Sequence, residues 1–131
     1  MIAETKLDSS FPNAQFLNPS YKTSYRLDIS NTSGGIMVYV KKGLPSFRLI
    51  SFDIPKDIQI VPVEIRLKNT KWLIISIYYP KQDLKYFLSL SSIVDFFNYE
   101  KCVIMGDFNA ERSDPRMISF LDTQVLHNHV K

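Results

Sequence analysis

The sequence predicts an α/β fold of the α+β kind, in which a mixed sheet is covered by helices. Three observations lead there. Residues 58–67 and 72–79 are strand-like runs joined by the polar turn Lys68-Asn69-Thr70-Lys71, the pattern of a β-hairpin. Residues 84–97 carry apolar side chains at helical spacing. The apolar run Val103-Ile104-Met105 then precedes a second helix-start signal at Asp114-Pro115. Strands dominate the first half and alternate with helices in the second, which suits a sheet with helices packed on it rather than a bundle or a sandwich of strands alone.

At 131 residues the chain has the size of one domain. Its 45% hydrophobic content is enough for a packed core and excludes a disordered polymer. A net charge of +3 and a pI near 9.0 permit attraction to nucleic acid without demonstrating it, because the basic residues are scattered rather than run together. Cys102 stands alone, which excludes a disulfide framework or a cysteine zinc site and fits a reducing intracellular compartment, nucleus or cytoplasm. The N-terminal residues lack the basic and apolar regions of a signal peptide. The longest apolar stretch, 72–79, is far too short to span a bilayer, so a soluble protein with no membrane partner is expected.

In chain order, Met1-Ile2-Ala3 reads as the end of a strand and Glu4 follows it; on position alone Glu4 is a solvated charge near a terminus. Residues 8–33 read as polar loop, with Phe16-Leu17 and Tyr21 as anchors of short extended pieces. Within it, Arg26 and Asp28 form a pair expected to lie on the surface and contribute little, or to offer an arginine to phosphate. Residues 36–40 follow a glycine turn and are β-branched or aromatic, hence a strand, and 47–50 are a short second one. The alternation from Val61 to Leu67 predicts a half-buried strand, with Pro62 near its beginning, where a missing donor is tolerated. The strand at 72–79 ends at Tyr78-Tyr79-Pro80. Asp83 is the expected N-cap of a helix whose core face is Leu84, Phe87, Leu88, Leu90, Ile93, Val94, Phe96 and Phe97, and which ends at Asn98-Tyr99-Glu100. A strand at 101–105 and a helix with apolar Met117, Ile118, Leu121 and Val125 complete the pattern.

The segment that carries chemistry is Val103-Ile104-Met105-Gly106-Asp107-Phe108-Asn109. Its apolar residues read as a strand covered on both faces, and Gly106 as the point where the run breaks. Asp107 and Asn109 then present a carboxylate and a carboxamide on one side if the backbone stays extended. A carboxylate can hold Mg²⁺ or orient water, and an amide can donate to a phosphate oxygen. An ordinary turn explains the tetrapeptide equally well, since Gly, Asp and Asn are all turn formers.

Gly106-Asp107-Phe108-Asn109 resembles the signature of the endonuclease/exonuclease/phosphatase superfamily. Ala3-Glu4-Thr5-Lys6 resembles that family's Glu-Thr-Lys segment, and Tyr78-Tyr79-Pro80 its Tyr-x-Pro strand end. Tyr25-Arg26-Leu27-Asp28 followed by Gly34-Gly35 and the strand after it is most similar to the endonuclease domain of non-LTR retrotransposons, which precedes a reverse transcriptase and is similar to apurinic/apyrimidinic endonucleases. The matches run along essentially the whole chain in the family's order.

The resemblance implies a four-layer α/β sandwich of mixed sheets flanked by helices and a metal-dependent phosphodiesterase acting on DNA. It implies that Glu4 binds the divalent metal, Mg²⁺ or Mn²⁺, and that Tyr78 contacts the scissile phosphate. Asp107 orients or deprotonates the attacking water, and Asn109 hydrogen-bonds the phosphate in the transition state. The sequence also departs from the family. It begins after the strand that carries the family's asparagine, has Lys81 where asparagine often follows Tyr-x-Pro, and ends before the Ser-Asp-His loop. His127 and His129 do not match that loop and are expected to face solvent or a partner. The expectation is therefore an incomplete domain, a fragment of little or no activity, since single acid–base groups contribute on the order of 10²–10⁴-fold each. A non-enzymatic remnant or weak nucleic-acid-binding domain is the second reading, and an inositol- or sphingolipid-phosphodiesterase of the same superfamily the third.

Overall fold

A computed structural model describes residues 1–50, 54, 58–79, 84–111 and 113–124. Two sheets and two helices make an α+β fold. The first sheet is antiparallel and short-stranded: β1 (Ile2–Ala3) and β2 (Tyr25–Leu27) flank β3 (Ile36–Val38). The second has four strands in chain order, β4 (Ser46–Arg48), β5 (Gln59–Leu67), β6 (Thr70–Tyr78) and β7 (Lys101–Asp107). Its pairs are antiparallel except β6 with β7, which are parallel and joined through helix α1 (Leu84–Phe97). Parallel neighbours need such a crossover. A second helix, α2 (Pro115–Thr123), follows β7.

Strand alternation divides the larger sheet between two cores. Ile58 and Ile60 with Leu73, Ile75 and Ile77 face the helices and meet Phe87, Leu90, Ile93, Met117 and Phe120. Val61, Val63 and Tyr78 face the smaller sheet and meet Ile36, Val38 and Val40. The order of layers is sheet, sheet, helices; among the described residues no α-helix lies outside the smaller sheet.

The hairpin is tighter than expected. Leu67 pairs with Thr70, so only Lys68 and Asn69 turn, at φ +48° and +65°. Two consecutive positive φ values are the signature of a type I′ turn, whose twist matches that of the strands. The β5 strand is not half-buried: residues 59–64 are buried on both faces because one sheet and one helix layer cover it. Pro62 sits within it between two neighbours. Its carbonyl accepts from the Leu49 amide, so its missing N–H also points towards β4, just beyond where β4 ends, and the β6 ladder loses nothing.

The helices begin and end by local chemistry. Asp114 caps α2 by accepting from the Arg116 amide, with Pro115 in the first turn as predicted. Asn98 ends α1 at φ +50°, its amide donating to the Val94 carbonyl. Two expected core faces need correction. Leu88 and Phe96 are exposed on α1, and Tyr86, not expected, is buried. On α2, Phe120 is buried in place of Ile118. Asp83 and Val125 lie outside the described residues.

In the long segment 8–33 the structure adds a 3-10 helix (Asn13–Phe16) and β2. Tyr21 forms an isolated bridge with Lys41. Arg26 is no surface residue. Its side chain is 10% exposed, and its guanidinium donates to both Asp28 oxygens at 3.2 and 2.7 Å and to the Phe11 carbonyl at 2.7 Å. It also donates to Asn13 Oδ1 and the Asp8 carbonyl, at 3.1 and 3.3 Å, and lies over the Phe16 ring. It is the clamp that fastens this segment to the smaller sheet, and its donors point to protein rather than to phosphate.

Candidate active site

The parallel pairing of β6 and β7 sets the site. Tyr78 is opposite Asp107 in register, so both side chains rise from the same face at the carboxyl ends of adjacent strands. That face looks towards the smaller sheet, where β1 delivers Glu4. The strand does not break at Gly106; it runs through it to Asp107. Gly106 has φ +152°, and a Cβ there would lie 1.9 Å from the Ile77 carbonyl oxygen. Only glycine lets the two strands stay this close one residue before the paired Tyr78 and Asp107.

Gly106 and Asp107 belong to β7 rather than to a turn, and the chain turns only after them, over Asp107-Phe108-Asn109. The Asn109 amide donates to Asp107 Oδ1 at 3.0 Å, an Asx turn, and Asn109 sits at φ +45°. The backbone is therefore not extended through Asn109. Its side chain is placed by another contact: Nδ2 donates to the Tyr79 carbonyl. The Tyr79 amide donates to the Asp107 carbonyl at 2.9 Å, so the loop after β7 is stitched to the end of β6 on both sides of Tyr79. Phe108 packs edge-on against the Tyr79 ring with centroids 5.9 Å apart and anchors the turn from below.

Glu4 is held through its neighbours. The Thr5 and Lys6 amides donate to the Gly35 and Gly34 carbonyls at 3.3 and 2.8 Å, and the Gly35 amide donates to buried Gln59 Oε1 at 2.8 Å. Gln59 is the register partner of Tyr78, so a chain of contacts runs from Thr5 through Gly35 and Gln59 to the tyrosine. Gly35, at φ +97°, is where Thr5 Oγ1 approaches to 2.3 Å of the place a Cβ would occupy. Six described non-glycine residues have positive φ. Lys68, Asn69 and Asn98 belong to the hairpin turn and the helix end; Glu4, Lys6 and Asn109 all lie at this end of the sheets. Left-handed backbone at a glutamate or lysine costs about 1–2 kcal/mol, and such strain collects at functional sites.

The electrostatics tie the pieces together. The Tyr78 hydroxyl is held above its ordinary pKa, first by burial and then by the negative charges of Glu4 and Asp107. Both carboxylates thus act on one phenol, which remains a proton donor at neutral pH. The Glu4 carboxylate is half exposed and pairs with Lys6 at 3.6 Å, and Asp107 is exposed. Among the described residues no cluster of three His, Cys, Asp or Glu side chains forms an all-protein metal cage. The hard oxygen donors of Glu4 and Asp107 fit a hydrated Mg²⁺ or Mn²⁺, ions that take one or two carboxylates and complete their shell with water and phosphate. Two buried hydroxyls, Thr5 Oγ1 and Ser76 Oγ, have no hydrogen-bond partner among the described residues; Ser76 lies on the face of β6 that carries Tyr78.

All four residues singled out in the sequence, Glu4, Tyr78, Asp107 and Asn109, therefore gather at one end of the two sheets. Sequence reasoning missed the supports, Gln59 and the Tyr79 backbone. The glycine pair was the available signal for Gln59, since two glycines together mark a close approach, though not by which side chain. Lys81, His127 and His129 lie outside the described residues. No family model matches this chain, and no curated protein matches it.

Proposed function

We propose that the chain carries part of the site of a metal-dependent phosphodiesterase of the DNA endonuclease type and has little activity of its own. The observation that carries this reading is the register pairing of Tyr78 with Asp107 at the ends of β6 and β7, with Asn109 fastened to the neighbouring Tyr79 carbonyl and the Tyr78 pKa raised by burial and then by Glu4 and Asp107. Two carboxylates and a protonated phenol at the joined ends of two sheets suit a substrate that is anionic and gains charge on its oxygens during reaction. Glu4 would hold Mg²⁺ or Mn²⁺, which supplies charge neutralisation for the phosphate. Asp107 would orient the attacking water and accept its proton. Tyr78, protonated, would donate to a phosphoryl oxygen, and Asn109 would support the same oxygens. The net charge of +3 favours approach to a polyanion.

The experiment is nicking of supercoiled plasmid in Mg²⁺ or Mn²⁺, read beside Mn²⁺ binding by electron paramagnetic resonance. Residual cleavage should be weak, be abolished by Asp107→Ala, fall further in Tyr78→Phe, and stop on chelation. Mn²⁺ binding should weaken in Glu4→Gln. Nicking that survives Asp107→Ala would refute the assignment. Salt-dependent duplex binding with no metal-dependent cleavage would replace it with a non-enzymatic nucleic-acid-binding domain.

A further inference from the structure

The segment Glu4-Thr5-Lys6 holds an acid and a base in an arrangement that an unconstrained strand end would not adopt. Glu4 and Lys6 each sit at φ +53°, in the left-handed region, which costs a residue with a Cβ about 1–2 kcal/mol. Contacts with the glycine pair impose it. The Thr5 and Lys6 amides donate to the Gly35 and Gly34 carbonyls at 3.3 and 2.8 Å. The Gly35 amide is fixed in turn by Oε1 of Gln59, at 2.8 Å, a residue only 8% exposed. Thr5 turns inward, with its Oγ1 2.3 Å from the place where Gly35 would carry a Cβ. Its neighbours stand outward together: the Glu4 and Lys6 side chains are 49% and 53% exposed, and Lys6 Nζ reaches Glu4 Oε1 at 3.6 Å.

An exposed acid–base pair on freely moving side chains ordinarily contributes close to nothing. This pair differs because both backbones are held, so the ammonium stays beside whatever the carboxylate binds. While Glu4 has no other cation, Lys6 neutralises it. A divalent ion on Glu4 carries twice the charge of the ammonium, takes the carboxylate oxygens and repels Nζ. The Lys6 amide remains anchored on the Gly34 carbonyl, so Nζ swings only as far as its four-carbon stem allows and stays at the rim of the ion. There it presents three donors to an oxyanion. A phosphodiester that completes the ion's shell brings such oxygens. No proton changes hands in the exchange: the ammonium leaves one anionic oxygen for another.

We infer that Lys6 is a displaceable cation: it occupies Glu4 until a divalent ion replaces it, and the freed ammonium then binds a non-bridging oxygen of the phosphodiester. Resting on the reading of Glu4 as the metal ligand, this role adds an order of binding to it, metal first and phosphate second. Lys6 accordingly opposes the first step and assists the second, two effects of opposite sign from one side chain. A lysine that only solvated the surface would produce neither.

Mn²⁺ titration of the whole chain at low ionic strength, followed by electron paramagnetic resonance, measures the first step. Lys6→Met should bind Mn²⁺ roughly threefold or more tightly than wild type, and added salt should narrow the gap. Paramagnetic broadening of the dimethyl phosphate ³¹P resonance by protein-bound Mn²⁺ measures the second. At equal Mn²⁺ occupancy Lys6→Met should lose most of that broadening. Lys6→Arg, which keeps a cation, should retain it and stay near wild type in Mn²⁺ affinity, with circular dichroism confirming that each variant is folded. Mn²⁺ affinity unchanged or lowered in Lys6→Met, or raised affinity with unchanged phosphate broadening, would overturn the role of Lys6 and leave Glu4 standing as the metal ligand. Mn²⁺ affinity indifferent to Glu4→Gln would overturn both.

Discussion

Glu64 shows how a single buried charge can be made safe. It lies on the helix-facing side of β5, 3% exposed, where an unpaired carboxylate would be costly. The Tyr99 hydroxyl donates to its Oε2 and Arg66 Nε to its Oε1, at 2.8 Å for the latter. The tyrosine's hydrogen bond is the main cause of a carboxyl pKa below the ordinary 4.5, and burial, followed by the same contact, pushes the phenol up to about 12. A depressed folded value means that Glu64 favours the folded state fully above the ordinary carboxyl range, and that this contribution fades as pH falls through the folded value. Urea unfolding of Glu64→Gln should accordingly lose part of the wild-type decline in stability below about pH 4.5. Gly106 makes the opposite kind of demand, for space rather than charge. With the Ile77 carbonyl 1.9 Å from its missing Cβ, Gly106→Ala must part β6 from β7. The expected loss is about 2 kcal/mol or more in chemical denaturation.

At the level of elements, the sequence was legible where one rule acts alone. The hairpin, both helices and the order of the last strands follow from periodicity, and Asp114-Pro115 and Asn98 end or begin their helices as capping chemistry requires. It was less legible where burial depends on neighbours that are far along the chain. Val103-Ile104-Met105 reads as a strand covered on both faces, yet it lies at an edge, because apolar content records suitability for burial and not which layer arrives to cover it. The α1 helix shows the same limit. Eight apolar positions at helical spacing were more than one face can hold, and Leu88 and Phe96 point outward while Leu90 is fully buried. Leu90→Ala should therefore cost about 2–5 kcal/mol of unfolding free energy, and Leu88→Ala should stay within about 0.5 kcal/mol of wild type. Equal costs for the two would contradict this helix orientation.

For the whole molecule, two sheets face each other over one core and, among the described residues, the helices cover the larger sheet. The four residues of the candidate site come from one end of the two sheets and from three distant parts of the chain. Glu4, Tyr78 and the Asp107–Asn109 pair could be singled out in the sequence at strand ends and through the family resemblance of the segments that carry them. What could not be read there is the support beneath them, Gln59 reaching the Gly35 amide across the space between sheets.

The two-residue length of β1 has a consequence of its own. Glu4 hangs from the briefest strand in the fold, held by its pairing with β3 and by the Thr5 and Lys6 amides, whereas Asp107 ends a seven-residue strand locked to β6. One wall of the candidate site is therefore expected to breathe far more often than the other. In native-state hydrogen exchange the Ala3, Thr5 and Lys6 amides should trade protons through local opening well below the global unfolding energy. A cation held by Glu4 would slow that exchange selectively, making the N-terminal strand a built-in reporter of occupancy.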